Sequence, residues 1–339
     1  MFSIVSITVL SSFFLLIFLR YPAEKINLID KPNYRKLHNK DTLLTGGIAI
    51  YFSIALSLIL SPSLSTFYIN LMLISSTTIV IGALDDIYDI SALFRILFQV
   101  LIAYLAVIIL DIRILSFGNI LGLGEFVLGG FSTPITVFSI VACINAINFI
   151  DGLDGLAGTQ ILIALFGIVF FLISSKNQSQ DMLFSFTLIA ALMTFLLFNL
   201  GLVKNFETFL GDSGSFFLGL VLSVLLINFS QSPINYFNPV TAIWLIALPL
   251  IDSLYVILKR VYSGQKPMKA DNLHIHFRLK KSGISDKKIL SLLSLLSILV
   301  SFCGIILDIT NIEEIYSFVA FLFLIFLFFL INLKFFEEK

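Results

Sequence analysis

A chain of 339 residues that is 58% hydrophobic and only 12% charged, with 36 phenylalanines and a mean hydropathy of +1.04, cannot be a water-soluble domain. Its formal net charge is zero, which excludes nucleic-acid binding driven by a global basic excess. Two cysteines, Cys143 and Cys303, make no disulfide framework, and both fall within apolar stretches where packing explains them.

Read in chain order with a window of about 19 residues, the sequence has apolar stretches at 3–19, 43–60, 67–84, 92–110, 134–150, 156–174, 182–202, 209–229, 240–258, 289–307 and 315–333. This predicts an all-α integral membrane protein, a polytopic bundle of about eleven transmembrane helices forming one domain over 1–339. The eighth stretch is the weakest, because Asp212 interrupts it and leaves fewer than the ~20 apolar residues a perpendicular helix needs. The first stretch does not read as a cleaved signal peptide, since its charges follow the apolar run and no A-x-A-like site is present.

Basic residues set the orientation. With the N-terminus outside, 19 of the 21 Lys and Arg fall on cytoplasmic connections, leaving only Arg113 and Lys176 outside. Reversing the topology or dropping one span destroys this bias, so the positive-inside rule supports the arrangement.

Acidic residues then gather on the cytoplasmic side. Asp85, Asp86 and Asp89 end the third stretch, with a spacing that one helix face would share. Asn148, Asp151 and Asp154 follow the fifth, spaced by three, as are Gly152, Gly155 and Gly158; a helix would make one polar row beside one row open to close backbone approach. Asp212 lies in Leu210-Gly211-Asp212-Ser213-Gly214-Ser215, whose small residues can sit close to a ligand. Asp252, about two helical turns before Lys259, is expected roughly 10 Å below the cytoplasmic end, and an intramembrane acid is a functional candidate by default.

Opposite these acids, the loop at 259–288 holds nine Lys and Arg against Asp271 and Asp286, a net of plus seven, and contains His274-Ile275-His276-Phe277-Arg278. It reads as a local anion trap. Attraction to anionic headgroups accounts for some of the lysines but not for the histidines. Many oxygen ligands with few soft ones favour Mg²⁺ or Mn²⁺ over zinc. No Walker A, G-x-S-x-G or H-E-x-x-H pattern is present. Oxygen-bound metal beside a basic loop at a membrane surface suits phosphoryl transfer, where two anions must meet. Like charges ~4 Å apart repel by about 4 kcal/mol at an effective dielectric near 20, so cations are needed before any general base.

The motifs Asp30 to Lys36, Gly46-Gly47-Ile48, Gly82 to Asp86, Asn148 to Gly158, Asn199-Leu200-Gly201, Gly211 to Ser215, Pro239 to Ala242, Pro249 to Asp252 and His274-Ile275-His276 occur in order along nearly the whole chain. In these the chain resembles the polyprenyl-phosphate N-acetylhexosamine-1-phosphate transferase superfamily, and within it the bacterial branch that uses undecaprenyl phosphate and N-acetylglucosamine 1-phosphate. The resemblance implies an eleven-span fold in the bacterial inner membrane, a cytoplasmic active site, Mg²⁺, UDP-N-acetylglucosamine as donor, undecaprenyl phosphate as acceptor, and a role in cell-surface polysaccharide synthesis. By motif, Asp85 and Asp86 would be the acidic pair serving as base and metal-site residue, and Asp212 a metal ligand. Asn148, Asp151 and Asp154 would support metal and nucleotide; His274 and His276, with Arg278, would hold diphosphate or sugar. Lys36 and His38 would meet the lipid phosphate. The family pattern His-x-His-His ends here in Phe277, and Asn272 stands where an arginine commonly precedes the histidines, so a 6-deoxy or epimeric UDP-N-acetylhexosamine stays open as donor. The expected partners are that nucleotide sugar, the prenyl phosphate and bilayer lipid, and a homodimer is one arrangement open to such a chain.

Two readings compete. An ion-coupled transporter would gather its acids near the midplane at the junction of internal repeats, whereas these collect at one face and no repeat is visible. An inert assembly subunit would keep its function in Asp85→Asn and Asp212→Asn.

Overall fold

The computed structural model describes residues 2–31, 41–61, 65–175, 179–268 and 271–336. Lys36 and His38 lie outside the described residues. The chain is helical almost throughout, and the eleven apolar stretches each coincide with helix: α1 (Phe2–Phe18), α3 (Gly46–Ile59), α4 (Thr66–Tyr88), α5 (Ala92–Ile109), α6 (Ser132–Ile150), α7 (Leu156–Ser174), α8 (Ser179–Asn199), α9 (Gly211–Ser230), the pair α10 (Pro239–Leu245) and α11 (Ala247–Tyr262), α13 (Asp286–Ile309) and α14 (Glu314–Phe336). Two short helices, α2 (Arg20–Lys25) and α12 (Ile275–Lys281), complete the set. Among the described residues nine helices are long and apolar enough to cross a membrane alone. The protein is therefore a multi-pass membrane protein. The 14-residue α3 is shorter than those nine, and α10 and α11 meet at an 80° bend.

The helix whose sequence looked weakest is the axis of the bundle. Helix α9 is 94% buried along its apolar window and packs mainly on α4, α6 and α3. A helix enclosed by protein is not selected for lipid-facing apolarity, which is why one acid and several serines interrupt it. Close approach depends on glycine: a Cβ at Gly47 would enter the backbone of Gly214, and one at Gly82 the backbone of Ser213. Helix α1 packs on α3 and α8, while α13 lies across α7 and α10.

The bend at Ile246 exposes carbonyls that a straight helix would satisfy. The Ser301 hydroxyl of α13 donates to the Trp244 and Leu245 carbonyls at 3.5 and 3.4 Å, which gives the freed backbone acceptors a partner. At the end of the bundle where α4 and α6 stop and α7 and α9 start, a two-residue antiparallel pair, β1 (Ile29–Asp30) with β2 (Thr42–Leu43), is extended by a bridge from Leu43 to Thr208. The opposite end is tied by Asp181, which accepts from Tyr68 at 2.6 Å and Tyr236 at 2.9 Å, and by Asp308, which accepts the Asn238 N–H at 2.9 Å.

Candidate active site

At the β1–β2 end a cleft of about 680 Å³ opens, lined among others by Asp85, Asp86, Asp89, Asn148, Asp151, Asp154 and Asp212. The sequence-predicted acids from three separate stretches are thus together. Their local geometry differs from the spacing argument in two places. Asp89 is not on the helix face of Asp85 and Asp86: α4 ends at Tyr88, and Asp89 is its C-cap in the left-handed region at φ 51°. Asn148, Asp151 and Asp154 do not form a helical row either. Helix α6 ends at Ile150, and 151–155 is a turn closed by Gly155 at φ +78°, which favours glycine. The turn is held from outside, because Asn199 accepts the Gly155 N–H at 2.6 Å and donates to the Thr208 carbonyl at 2.9 Å.

Asp86 has a structural task that its sequence position does not disclose. Its carboxylate accepts the backbone N–H groups of Asp212 at 2.9 Å and Ser213 at 3.4 Å, and so caps α9 from the end of another helix. A carboxylate is favourable at a helix N-terminus and unfavourable at a C-terminus. Asp86 therefore loses at the end of α4 what it regains at the start of α9. Gly211, at φ +74°, leaves room for this contact, since a Cβ there would lie 2.7 Å from Asp86 Oδ2. Asp212 follows in the first turn, and one of its oxygens accepts from Asn148 Nδ2 at 2.6 Å; the same amide also reaches Ser215 at 2.9 Å.

Asp85 is buried, and both its oxygens are engaged, one by the Ile90 N–H at 2.8 Å and the other by Arg95 at 2.9 Å. Arg95 also stands 3.8 Å from the second oxygen of Asp212. Sequence reasoning counted Arg95 only as a topological charge; its position ten residues after Asp85, just past the α4 cap, was the available signal. One guanidinium does not balance the acids around it. Asp151 shows the result: removal from water, then the neighbouring Asp212 and Asp154, push its carboxyl up to about 8. A group raised in this way is one that a bound cation would deprotonate.

The donor set is carboxylates with the side-chain amides of Asn148 and Asn199, all offering oxygen, which fits a hard divalent ion and not a thiolate-seeking one. Among the described residues no three His, Cys, Asp or Glu side chains already converge as a metal-holding group. The acids thus share a cleft without forming a ready-made cage.

The histidine loop is placed differently from the expectation. Phe277 lines the cleft, whereas His274 and His276 are buried behind it, with His276 against Gly152. Arg278 is also buried, joined to Asp252 and to the side chain of Asn332 and lying over the Tyr255 ring. Asp252 is paired with this loop and is no part of the cleft lining. The anion trap is likewise reduced, because Arg260 is buried in a fork with Asp271 and Lys280 is paired with Asp286. Lys269 lies outside the described residues.

The comparisons with known proteins meet this geometry where the acids are. The profile described as glycosyl transferase family 4 matches residues 68–230, from the first turn of α4 to the end of α9, the region that contains Asp85, Asp86, Asn148, Asp151, Asp154 and Asp212. Proteins named undecaprenyl-phosphate alpha-N-acetylglucosaminyl 1-phosphate transferase are similar over much more of the chain. The Yersinia pestis protein is 31% identical over 80% of this chain and 75% of its own length. The one from Escherichia coli K12 is 32% identical over 85% and 78%, and that of Haemophilus influenzae 35% over 84% and 81%. With identity above 30% spread along both partners, this chain belongs to the family of undecaprenyl-phosphate α-N-acetylglucosaminyl 1-phosphate transferases.

Proposed function

We propose that this protein transfers N-acetylglucosamine 1-phosphate from UDP-N-acetylglucosamine to undecaprenyl phosphate, giving undecaprenyl-diphosphate N-acetylglucosamine and UMP, the first membrane step of a cell-surface polysaccharide. The observation that carries the reading is the acid-lined cleft at one end of a membrane bundle, with Arg95 beside Asp85 and Asp212. The orientation that leaves 19 of 21 basic residues in the cytosol puts this end at the inner leaflet of the bacterial cytoplasmic membrane, with eleven crossings when α3 and the bent pair each count as one.

The reaction is a single in-line displacement. A phosphomonoester has a second pKa near 6, so the lipid phosphate arrives mostly ionised and its oxygen attacks the β-phosphorus of the donor. The bond from that phosphorus to the bridging oxygen breaks, and UMP leaves with the electron pair. A strong general base is unnecessary. Asp85, with both oxygens engaged, serves by holding Arg95 where phosphate charge must be neutralised. Asp86, Asp151 and Asp212 would hold Mg²⁺, which when bound supplies charge neutralisation of the diphosphate. Asn148 keeps Asp212 in place, and Asp154 faces the nucleotide. Lys36 and His38 are assigned to the lipid phosphate.

The test is UMP release by purified protein given undecaprenyl phosphate and a panel of UDP-N-acetylhexosamines. Release with UDP-N-acetylglucosamine supports the reading, and no release with any donor removes it; a transporter releases none. Phe277 at the cleft gives the second reading, a 6-deoxy or epimeric donor, which the same panel decides. In EDTA the release is expected to stop, and to return with excess Mg²⁺ or Mn²⁺; release that persists in the chelator takes the metal out of the mechanism. Accumulation of a phospho-sugar protein adduct from donor alone would replace the single displacement by a covalent one.

A further inference from the structure

Helix α12 has seven residues, three of them basic, and is too short to persist by propensity. Asp252 is what anchors it. One carboxylate oxygen accepts the Ile275 N–H at 2.9 Å and Arg278 Nη2 at 3.2 Å, and the other accepts His274 Nδ1–H at 2.8 Å. Arg278 continues to the Asn332 side chain on α14, so the anchor spans α11, α12 and the last helix. All four side chains are at most 7% exposed. Charge-assisted bonds of this kind in a dry setting are strong and directional.

The anchorage delivers His276. Its ring is 1% exposed, lies 9° from parallel to that of His274 with centroids 6.1 Å apart, and among the described residues has no hydrogen-bond partner at either nitrogen. Burial pushes it down to about 3, so the imidazole is neutral. A buried polar ring without partners is unfavourable and is retained for a reason other than stability. Its edge abuts Gly152, where any Cβ would run into Nε2. Gly152 is the second residue of the 151–155 turn, between Asp151 and Asp154.

We infer that Asp252 is a positioning residue: by anchoring α12 it seats His276 beneath Gly152 and so fixes the turn that presents Asp151 and Asp154 to the cleft. This rests on the transferase reading only in assigning those two acids to the donor side. A residue that merely stabilised the bundle would loosen all of it together, whereas this linkage predicts a local response at a turn with which Asp252, among the described residues, makes no hydrogen bond or ion pair.

The test uses hydrogen–deuterium exchange and kinetics on the full-length protein in detergent. In Asp252→Asn, peptides covering 273–281 and 151–156 are expected to exchange about tenfold faster than in the parent, with 211–216 unchanged. In UMP release, KM for the nucleotide sugar should rise about tenfold, with kcat within about threefold and KM for the lipid phosphate unaltered. Faster exchange confined to 273–281 overturns the inference, as does equal loosening of 211–216, and as does an unchanged donor KM in an active protein. If Asp252→Asn does not fold, Arg278→Lys, which keeps the charge and loses the fork, carries the same measurements. A parent protein that releases no UMP would sink the transferase reading, while the exchange result would still decide the linkage.

Discussion

Asp212→Asn is expected to lower kcat for UMP release about a thousandfold, with a melting temperature within a few degrees of the parent. The first turn of α9 tolerates asparagine, and the Asn148 bond can be kept by the remaining side-chain oxygen, so the fold has little reason to respond. What disappears is the negative charge on the oxygen that faces Arg95 at 3.8 Å. Asp86→Asn should differ in kind. An amide there keeps one acceptor for the Asp212 N–H but turns an NH₂ toward the Ser213 N–H, so lost turnover should come with lost stability. Circular-dichroism melts beside UMP assays separate the two. Full turnover in Asp212→Asn would move the charge-neutralising site elsewhere in the cleft.

Gly82→Ala is expected to be strongly damaging for so small a substitution. The added methyl meets the Ser213 backbone, which cannot turn aside as a side chain would. Overpacking of this kind costs about 1–3 kcal/mol, and the relief available, separating α4 from α9, draws Asp86 off the N–H groups it caps. Activity should fall at least about a hundredfold, with a melting temperature lower by several degrees. Gly130→Ala is the matched control, because among the described residues nothing lies within 4 Å of a Cβ there, and both quantities should be unchanged. Parent-like activity in Gly82→Ala would mean that the α4–α9 contact does not set the cleft.

The parts of this molecule that were readable from sequence are those set by single-helix physics. Eleven apolar runs mark helices, nine of which among the described residues are long and apolar enough to cross a membrane alone, and the side on which the runs end or begin brings Asp85, Asp151 and Asp212 together without knowledge of packing. The rest depends on neighbours. Extrapolating helical spacing through Asp89 and Asp154 failed because both lie beyond a helix end, where the left-handed cap at Asp89 and the Gly155 turn reset the direction of the chain. Whether Arg278 faces ligand or protein is decided by Asn332, 54 residues away, and the fate of Arg260 by Asp271. The centrality of α9 was hidden for a related reason: a polar residue counts against a lipid-facing span but not against one walled in by other helices.

The corner at Ile246 bears on all of this. Because α11 departs from α10 at 80°, it leaves the line of α10, and Asp252 on it meets the loop that follows at His274, Ile275 and Arg278. Straightening that corner would take the Trp244 and Leu245 carbonyls from Ser301 and carry Asp252 away from the start of α12. A corner in one helix is thus the keel on which the anchorage of α12 rests.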